Sequence, residues 1–298
     1  MTTTLRTIIT ATDFSTNAGA ACAWAEQIAR QHDAAVVLVH AFREGPGVAP
    51  EFVPLPQRYY DDIRARVEAA LEEEARTLRR TGLTVECEVG YGDVVDAILA
   101  AAQRRSADLI VAGTRGRTMW KPLLLGSTAA RLLRKAHCPV MTVRPMDTVA
   151  PRPVRSVLVP TDFSEDAALA AKVAMRLVGG ATDRRIVLLH AYHVPTDATS
   201  LPPPMVLDAI SAVDEAARRA IEALAGTVRA AGVHVETITC EGEPPESIID
   251  YARSLKVDAI VMGTHGRSGI DRVVLGSTAE RVVTAAPCPV VTVRHEPN

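Results

Sequence analysis

Aromatic residues are scarce in this 298-residue chain: two Trp, five Tyr and four Phe make up 4% of it. Stacking platforms for single-stranded nucleic acid need such rings, so that class of partner is not expected. The core must instead be built from Ala, Val, Leu and Ile. Charge of one sign is lacking as well. Lys and Arg number 33, Asp and Glu 35, and the net charge is -2. This gives no electrostatic reason to bind nucleic acid or an acidic membrane. No apolar run reaches the 18 or so residues that a membrane helix needs. The start, Met1 to Arg6, is polar, and the apolar run after it is broken at Asp13. No signal peptide is read there, and a cytoplasmic location is expected. Cysteines stand at 22, 87, 138, 240 and 288, an odd number with no C-x-x-C. Reduced buried thiols are expected, with no zinc site and no disulfide framework.

Several signatures of nucleotide chemistry are missing too. There is no G-x-x-x-x-G-K-[ST], hence no P-loop lysine, and no G-x-G-x-x-G after a first strand. Gly90-Tyr91-Gly92 starts like the latter but follows a third strand and lacks the third glycine. No G-x-S-x-G elbow and no histidine-glycine nucleotidyl-transferase signature occurs.

What is present is one unit written twice. Thr12-Asp13-Phe14-Ser15 returns as Thr161-Asp162-Phe163-Ser164, and Val39-His40-Ala41 as Leu189-His190-Ala191. Asp108 to Arg144 and Asp258 to Arg294 share 20 identities in 37 positions at a constant offset of 150. Chance would give two or three, so the halves arose by duplication. Pro145, Pro151 and Pro153 lie between them and deny backbone donors to any sheet or helix, which reads as a stiff linker. The expected division is a first domain over 1–146, a linker over 147–154 and a second domain over 155–298.

Strand and helix patterns alternate in each half. In the first, strands are expected at 7–10, 35–41, 84–89, 107–112 and 139–144. Helices are expected after Ser15 and over 59–80, 93–103 and 127–135. Arg43 to Arg58, rich in Gly and Pro, reads as a loop. The second half repeats the order, with strands near 156–160, 185–192, 233–240, 257–262 and 289–294. Unbroken apolar strands separated by helices mean a parallel sheet covered on both faces. Right-handed crossovers then favour an α/β fold of two tandem doubly wound domains. Each would have a five-stranded parallel sheet in the order 3-2-1-4-5.

The strongest loop pattern follows the fourth strand of each half. Gly113-Thr-Arg-Gly116, nine residues and Gly126-Ser127 form one copy; Gly263-Thr-His-Gly266, nine residues and Gly276-Ser277 form the other. Glycines let backbone amides approach an anion, and the helix opened by the serine offers free N–H groups to a phosphate. The alternative is that the glycines shape turns and the serines cap helices. In a doubly wound sheet, ligands bind beyond the carboxyl ends of strands where the order reverses. Strands 1 and 4 would meet there, bringing Asp13 opposite Gly113 and Asp162 opposite Gly263. A carboxylate facing a phosphate cradle suits ribose hydroxyls; the alternative is a helix cap. Arg115 and His265 occupy the same place in the two loops, where either could touch phosphate or be solvated. His40 and His190 read as structural, and Cys138 and Cys288 as small buried hydrophobes.

Together these residues resemble the universal stress protein family over nearly the whole chain. The resemblance rests on Ala11-Thr12-Asp13-Phe14-Ser15 and Pro160-Thr161-Asp162-Phe163-Ser164, on both glycine loops, on Val-His-Ala at 39–41 and Leu-His-Ala at 189–191, and on the Cys-Pro-Val-x-Thr-Val-Arg endings. The glycine motif is that of the family's ATP-binding branch. The resemblance therefore implies that Thr12, Asp13 and Ala41 line the adenosine end of a first site, with Gly113, Gly116, Arg117, Gly126, Ser127 and Thr128 around the phosphates. Thr161, Asp162, Ala191, Gly263, Gly266, Arg267, Gly276, Ser277 and Thr278 would form the second.

It further implies a tandem stress-response protein, acting as a nucleotide-dependent regulator that binds ATP with Mg²⁺ and hydrolyses it slowly or not at all. An ATP-hydrolysing or nucleotidyl-transferring enzyme on the same fold is the alternative. The apolar last strands are expected to pair antiparallel between the halves, and a homodimer through another surface is left open. The first loop departs from the family pattern at Thr118-Met119-Trp120-Lys121-Pro122. On loop bulk alone, the second site is expected to bind ATP better.

Overall fold

The unbroken apolar stretches become parallel strands within each half of the chain. The structure is a computed structural model and describes residues 4–42, 57–115, 125–144, 150–179, 183–192, 203–266 and 275–295. The chain divides into two compact units, whose main bodies run from Leu5 to Pro145 and from Val154 to Asn298.

The first unit alternates β1 (Thr7–Ala11), α1 (Thr16–His32), β2 (Ala35–Phe42), α2 (Gln57–Arg79), β3 (Val85–Tyr91), α3 (Val94–Arg104), β4 (Leu109–Gly113), α4 (Ser127–Lys135) and β5 (Val140–Val143). β1 pairs with β2 and β4, β2 with β3, and β4 with β5, all parallel, which gives the order 3-2-1-4-5. The second unit repeats it with β6 (Ser156–Pro160), α5 (Glu165–Val178), β7 (Arg185–Tyr192), α6 (Pro203–Arg229), β8 (His234–Glu241), α7 (Pro244–Leu255), β9 (Ala259–Gly263), α8 (Ser277–Ala285) and β10 (Val290–Val293). There β6 pairs with β7 and β9, β7 with β8, and β9 with β10, again all parallel.

The central strands supply the core: Ile8, Ile9, Val36, Leu38, Ile110 and Val111 in the first unit, Val157, Leu158, Ile186, Val187, Ile260 and Val261 in the second. Small residues on α1 let it sit close to the sheet. Ala21, Ala25 and Ile28 are fully buried, and Trp24, 1% exposed, is the one large ring beneath them. Truncating such a residue to Ala costs about 3–5 kcal/mol. On α2, Leu71 and Leu78 are buried against the rest of the unit, while Ile63 and Val67, nearer its start, are half-buried.

A carboxylate holds the amino ends of the central strands in register. Asp108 Oδ2 accepts from the backbone N–H of Arg6 at 2.7 Å and of Thr7 at 3.2 Å. Asp258, only 3% exposed, accepts from Arg155 and Ser156 at 2.8 Å each. These contacts lie at the end of the sheet opposite the glycine loops and serve the fold.

The thiols are less uniform than expected. Cys22 and Cys288 are buried, while Cys87, Cys138 and Cys240 are half-buried. All five are unbridged, and among the described residues no three His, Cys, Asp or Glu side chains gather as a metal site. No described helix is long and apolar enough to cross a membrane.

Candidate functional site

Both units build the turn after their first strand in the same way. Ser15 accepts from Ala18 N–H at 3.2 Å and caps α1; Ser164 accepts from Ala167 N–H at 3.2 Å and caps α5. The capping role weighed for the aspartates therefore belongs to the serines. Asp13 and Asp162 brace the turn instead, accepting from Ser15 N–H at 3.1 Å and Ser164 N–H at 3.0 Å. Thr12 and Thr161 accept from Phe14 N–H at 3.1 Å and Phe163 N–H at 3.0 Å. Phe14 and Phe163 sit in the left-handed region, at φ 60° and 64°. That conformation costs an L residue roughly 1–2 kcal/mol and is kept in both copies at the site itself.

At α4 and α8 the pattern changes. Their N-caps are Gly126 and Gly276, and neither end receives a hydrogen bond from a capping side chain. Ser127 and Ser277 are the first helical residues, so the reading of these serines as caps is overturned. The amides at these two helix ends have no capping side chain, and such ends attract anions. The two glycines also have a reason inside the chain. A Cβ on Gly126 would stand 2.9 Å from the Thr114 carbonyl oxygen, and one on Gly276 2.8 Å from that of Thr264. Each glycine N–H donates to that same oxygen, at 2.8 and 2.9 Å, which closes the loop against the end of β4 or β9.

Thr12, Asp13, Ala41, Gly113, Gly126, Ser127 and Thr128 line a single cavity of about 300 Å³ at the carboxyl ends of β1, β2 and β4. Thr114 and Arg115 line it too, as do Val94 and Ile98 of α3. Thr114 is 3% exposed, and its hydroxyl has no hydrogen-bond partner among the described residues. Neither does the buried Nε of Arg115. Such atoms at a cavity wall are the donors a polar ligand would use. Gly116 and Arg117 lie outside the described residues, and so do 118–122 of the first loop.

In the second unit, Asp162 and Gly266 meet. A Cβ at Gly266 would fall 2.6 Å from Asp162 Oδ2, so the loop passes close against that carboxylate. Thr161 is buried and Ala191 half-buried at the ends of β6 and β7; Gly263 ends β9; Ser277 and Thr278 open α8. Arg267 lies outside the described residues. Here the loop is built on another acid. Asp166, 8% exposed on the first turn of α5, accepts at Oδ2 from His265 N–H at 3.2 Å and Thr264 Oγ1 at 3.5 Å, and at Oδ1 from His295 N–H at 2.8 Å. Asn17 holds the equivalent place in the first unit and donates to the Arg115 carbonyl at 3.4 Å.

The sequence profile of the universal stress protein family matches residues 4–144 and again 153–294. The chain belongs to the universal stress protein family. It is 31% identical over 299 residues to a universal stress protein of Mycolicibacterium smegmatis, covering 96% of each chain. A universal stress protein of Mycobacterium tuberculosis is 32% identical over 296 residues, covering 97% of this chain and 96% of its own. Among solved structures, a universal stress protein from Archaeoglobus fulgidus matches with a TM-score of 0.71 at 22% identity, over 97% of this chain and 98% of that one. The structural likeness speaks for the fold; the two profile matches and the mycobacterial relatives establish a tandem universal stress protein.

Three site features escaped the sequence. Thr114 is one residue of a repeated Gly-Thr pair, and nothing in the pattern says that its hydroxyl faces a cavity. Asp166 reads as an ordinary acid in a helix first turn. Glu74 lies on a charge-rich amphipathic helix whose charged face reads as solvated, yet it accepts the Thr12 hydroxyl at 3.1 Å.

Proposed function

We propose that this universal stress protein binds ATP, with Mg²⁺, in each half and acts in the cytoplasm as a nucleotide-dependent regulator with slow or no hydrolysis. The observation that carries this reading is the first-unit cavity. A turn braced by a carboxylate, a helix end with no capping side chain and a buried hydroxyl without a partner converge on it. These supply acceptors for ribose hydroxyls at Asp13 and donors for phosphate at α4 and Thr114. Mg²⁺ would be carried mainly by the phosphates, since no described acidic cluster is available to hold it. The domains 1–146 and 155–298, their docking through the apolar strands β5 and β10, and the linker 147–154 belong to the same proposal.

Turnover needs groups that bind the transition state more strongly than the substrate. The donors available here are amides, hydroxyls and arginine, and no described residue is positioned as a base for water. Hydrolysis should therefore stay far below the roughly 1–100 s⁻¹ of kinases. The test is to purify the protein, identify any nucleotide released on denaturation, titrate the stripped protein with ATP, and measure single-turnover hydrolysis. Failure of ATP to bind would reject the reading. Turnover of several per second, lost in Asp13→Ala or Asp162→Ala, would favour the enzyme alternative.

A further inference from the structure

The bases of the two glycine loops carry opposite charge. In the first unit, neutral Asn17 lies beneath the loop and Arg115 stands in it, lining the cavity. In the second, the same two places hold Asp166 and His265. The Asp166 carboxylate is buried and sits directly under the loop: a Cβ on Gly263 would fall 2.6 Å from Asp166 Cβ. It takes the His265 N–H and the Thr264 hydroxyl as its own donors. In the first unit the equivalent Thr114 hydroxyl has no partner among the described residues, nor does Arg115 Nε. The Thr264 hydroxyl is thus engaged, by Asp166 and by His265 Nδ1 at 2.9 Å, whereas the buried His265 Nε2, like Arg115 Nε, has no partner among the described residues. What separates the two loop bases is a buried carboxylate under one and a guanidinium beside the cavity of the other.

Two histidines lie near Asp166 among the described residues. His265 Nδ1 is 3.7 Å from its Oδ2, and His295 donates only its backbone N–H to it; the His295 ring faces Glu165 Oε2 at 3.5 Å. The second loop base thus holds a buried carboxylate where the first holds a neutral amide, and a histidine where the first holds an arginine.

We propose that the two halves are matched to nucleotides of different phosphate charge, the first to nucleoside triphosphates and the second to nucleoside monophosphates. This rests on the nucleotide-binding reading above and deepens it. It reverses the order that loop bulk alone predicts. One unit charge about 12 Å away, at an effective dielectric constant near 20, changes affinity about tenfold. ATP carries about two more negative charges than AMP, so removing the Asp166 charge should act mainly on ATP.

The experiment uses full-length chains with one site filled: Ala191→Phe leaves the first site and Ala41→Phe the second. Each is titrated calorimetrically with adenosine, AMP and ATP at pH 8. EDTA keeps metal from cancelling phosphate charge. The expected result is a preference for ATP over AMP at least about tenfold greater at the first site than at the second. Adding Asp166→Asn to the Ala41→Phe chain should tighten ATP at least about tenfold, AMP by less, and leave adenosine unchanged. His265→Arg in the same chain should act in the same direction and keeps the proposal testable if Asp166→Asn does not fold. Equal preferences at the two sites, or no gain for ATP in either folded variant, would overturn the proposal while leaving nucleotide binding intact. Failure of the wild-type chain to bind any of the three ligands, in EDTA and again with Mg²⁺ present, would overturn the nucleotide reading and this inference together.

Discussion

His40 Nδ1 lies 2.8 Å from the carbonyl oxygen of Thr12, and its ring stacks on Phe14 with centroids 4.7 Å apart. A carbonyl only accepts, so Nδ1 carries the proton in this contact. His190 repeats the geometry on Thr161 at 2.7 Å and against Phe163 at 4.5 Å. The imidazole thus ties the second strand to the turn after the first, and holds a phenylalanine in the left-handed region beside the site.

His40→Ala should therefore cost about 1 kcal/mol of stability. It should also weaken nucleotide at the first site several-fold, because the Thr12-Asp13 turn loses its brace. His40→Asn, which keeps a donor, should recover part of both. Urea unfolding and calorimetry on the Ala191→Phe background check this. Lost stability with unchanged affinity would make the histidine an element of the fold alone.

Gly126→Val and Gly276→Val should weaken nucleotide binding by pushing the loop away from its own sheet, since the carbonyls of Thr114 and Thr264 already fill the space a side chain would need. Overpacking of this kind costs about 1–3 kcal/mol. Far-UV circular dichroism should still show folded protein, with a lowered melting temperature and loss of one binding event. A folded variant that retains both events would remove these loops from the site.

The fold was legible because the signals it rests on are local and repeated. Apolar runs such as Ala35–Phe42, the duplicated Asp-Phe-Ser turn and the alternation of strand and helix all point to one topology. Ser15 was readable as a cap because its oxygen serves an amide three residues away. Asp108 and Asp258 were not readable as register locks, because their partners lie about a hundred residues off. For the same reason the sequence could propose Asp13 and Gly113 as neighbours, through the switch in strand order, but not the bond from Thr12 to Glu74. That bond depends on how α2 lies against the sheet, and α2 is amphipathic without specifying which of its acids turns inward.

Ser106 follows α3 at φ 48°, exposed, with its N–H on the Gln103 carbonyl at 3.1 Å. A left-handed position just after a helix favours glycine. Ser106→Gly should stabilise the protein by about 0.5–1 kcal/mol, the relief of Cβ strain exceeding the added entropy of the unfolded chain. Thermal unfolding reads this directly. A lower melting temperature would mean that the serine side chain contributes more than its backbone strain costs.

The first half holds a polar cluster that the second lacks. Cys22 Sγ donates to Glu74 Oε1 at 3.2 Å and lies 3.7 Å from Thr10 Oγ1, while Thr12 Oγ1 donates to Glu74 Oε2 at 3.1 Å. At the matching places the second unit has Ala171, Leu224 and Val159, and only Thr161 is kept. A partly satisfied polar network is costlier than an apolar core. Glu74→Leu alone should therefore destabilise by about 1–3 kcal/mol, leaving a hydroxyl and a thiol without their acceptor. The triple change Thr10→Val, Cys22→Ala and Glu74→Leu should recover most of that loss. Burial, then the Glu74 charge, pushes the Cys22 thiol well above its ordinary range. A raised thiol contributes stability that is fully present below the unfolded value near 8.5 and is lost as pH rises through and beyond it. The wild type should thus lose melting temperature between about pH 8.5 and 10 more steeply than the triple variant. Parallel melting curves over that range decide it: matching slopes would show that the thiol is not the titrating group, and a triple variant no more stable than Glu74→Leu would show that the cluster is not a self-contained unit.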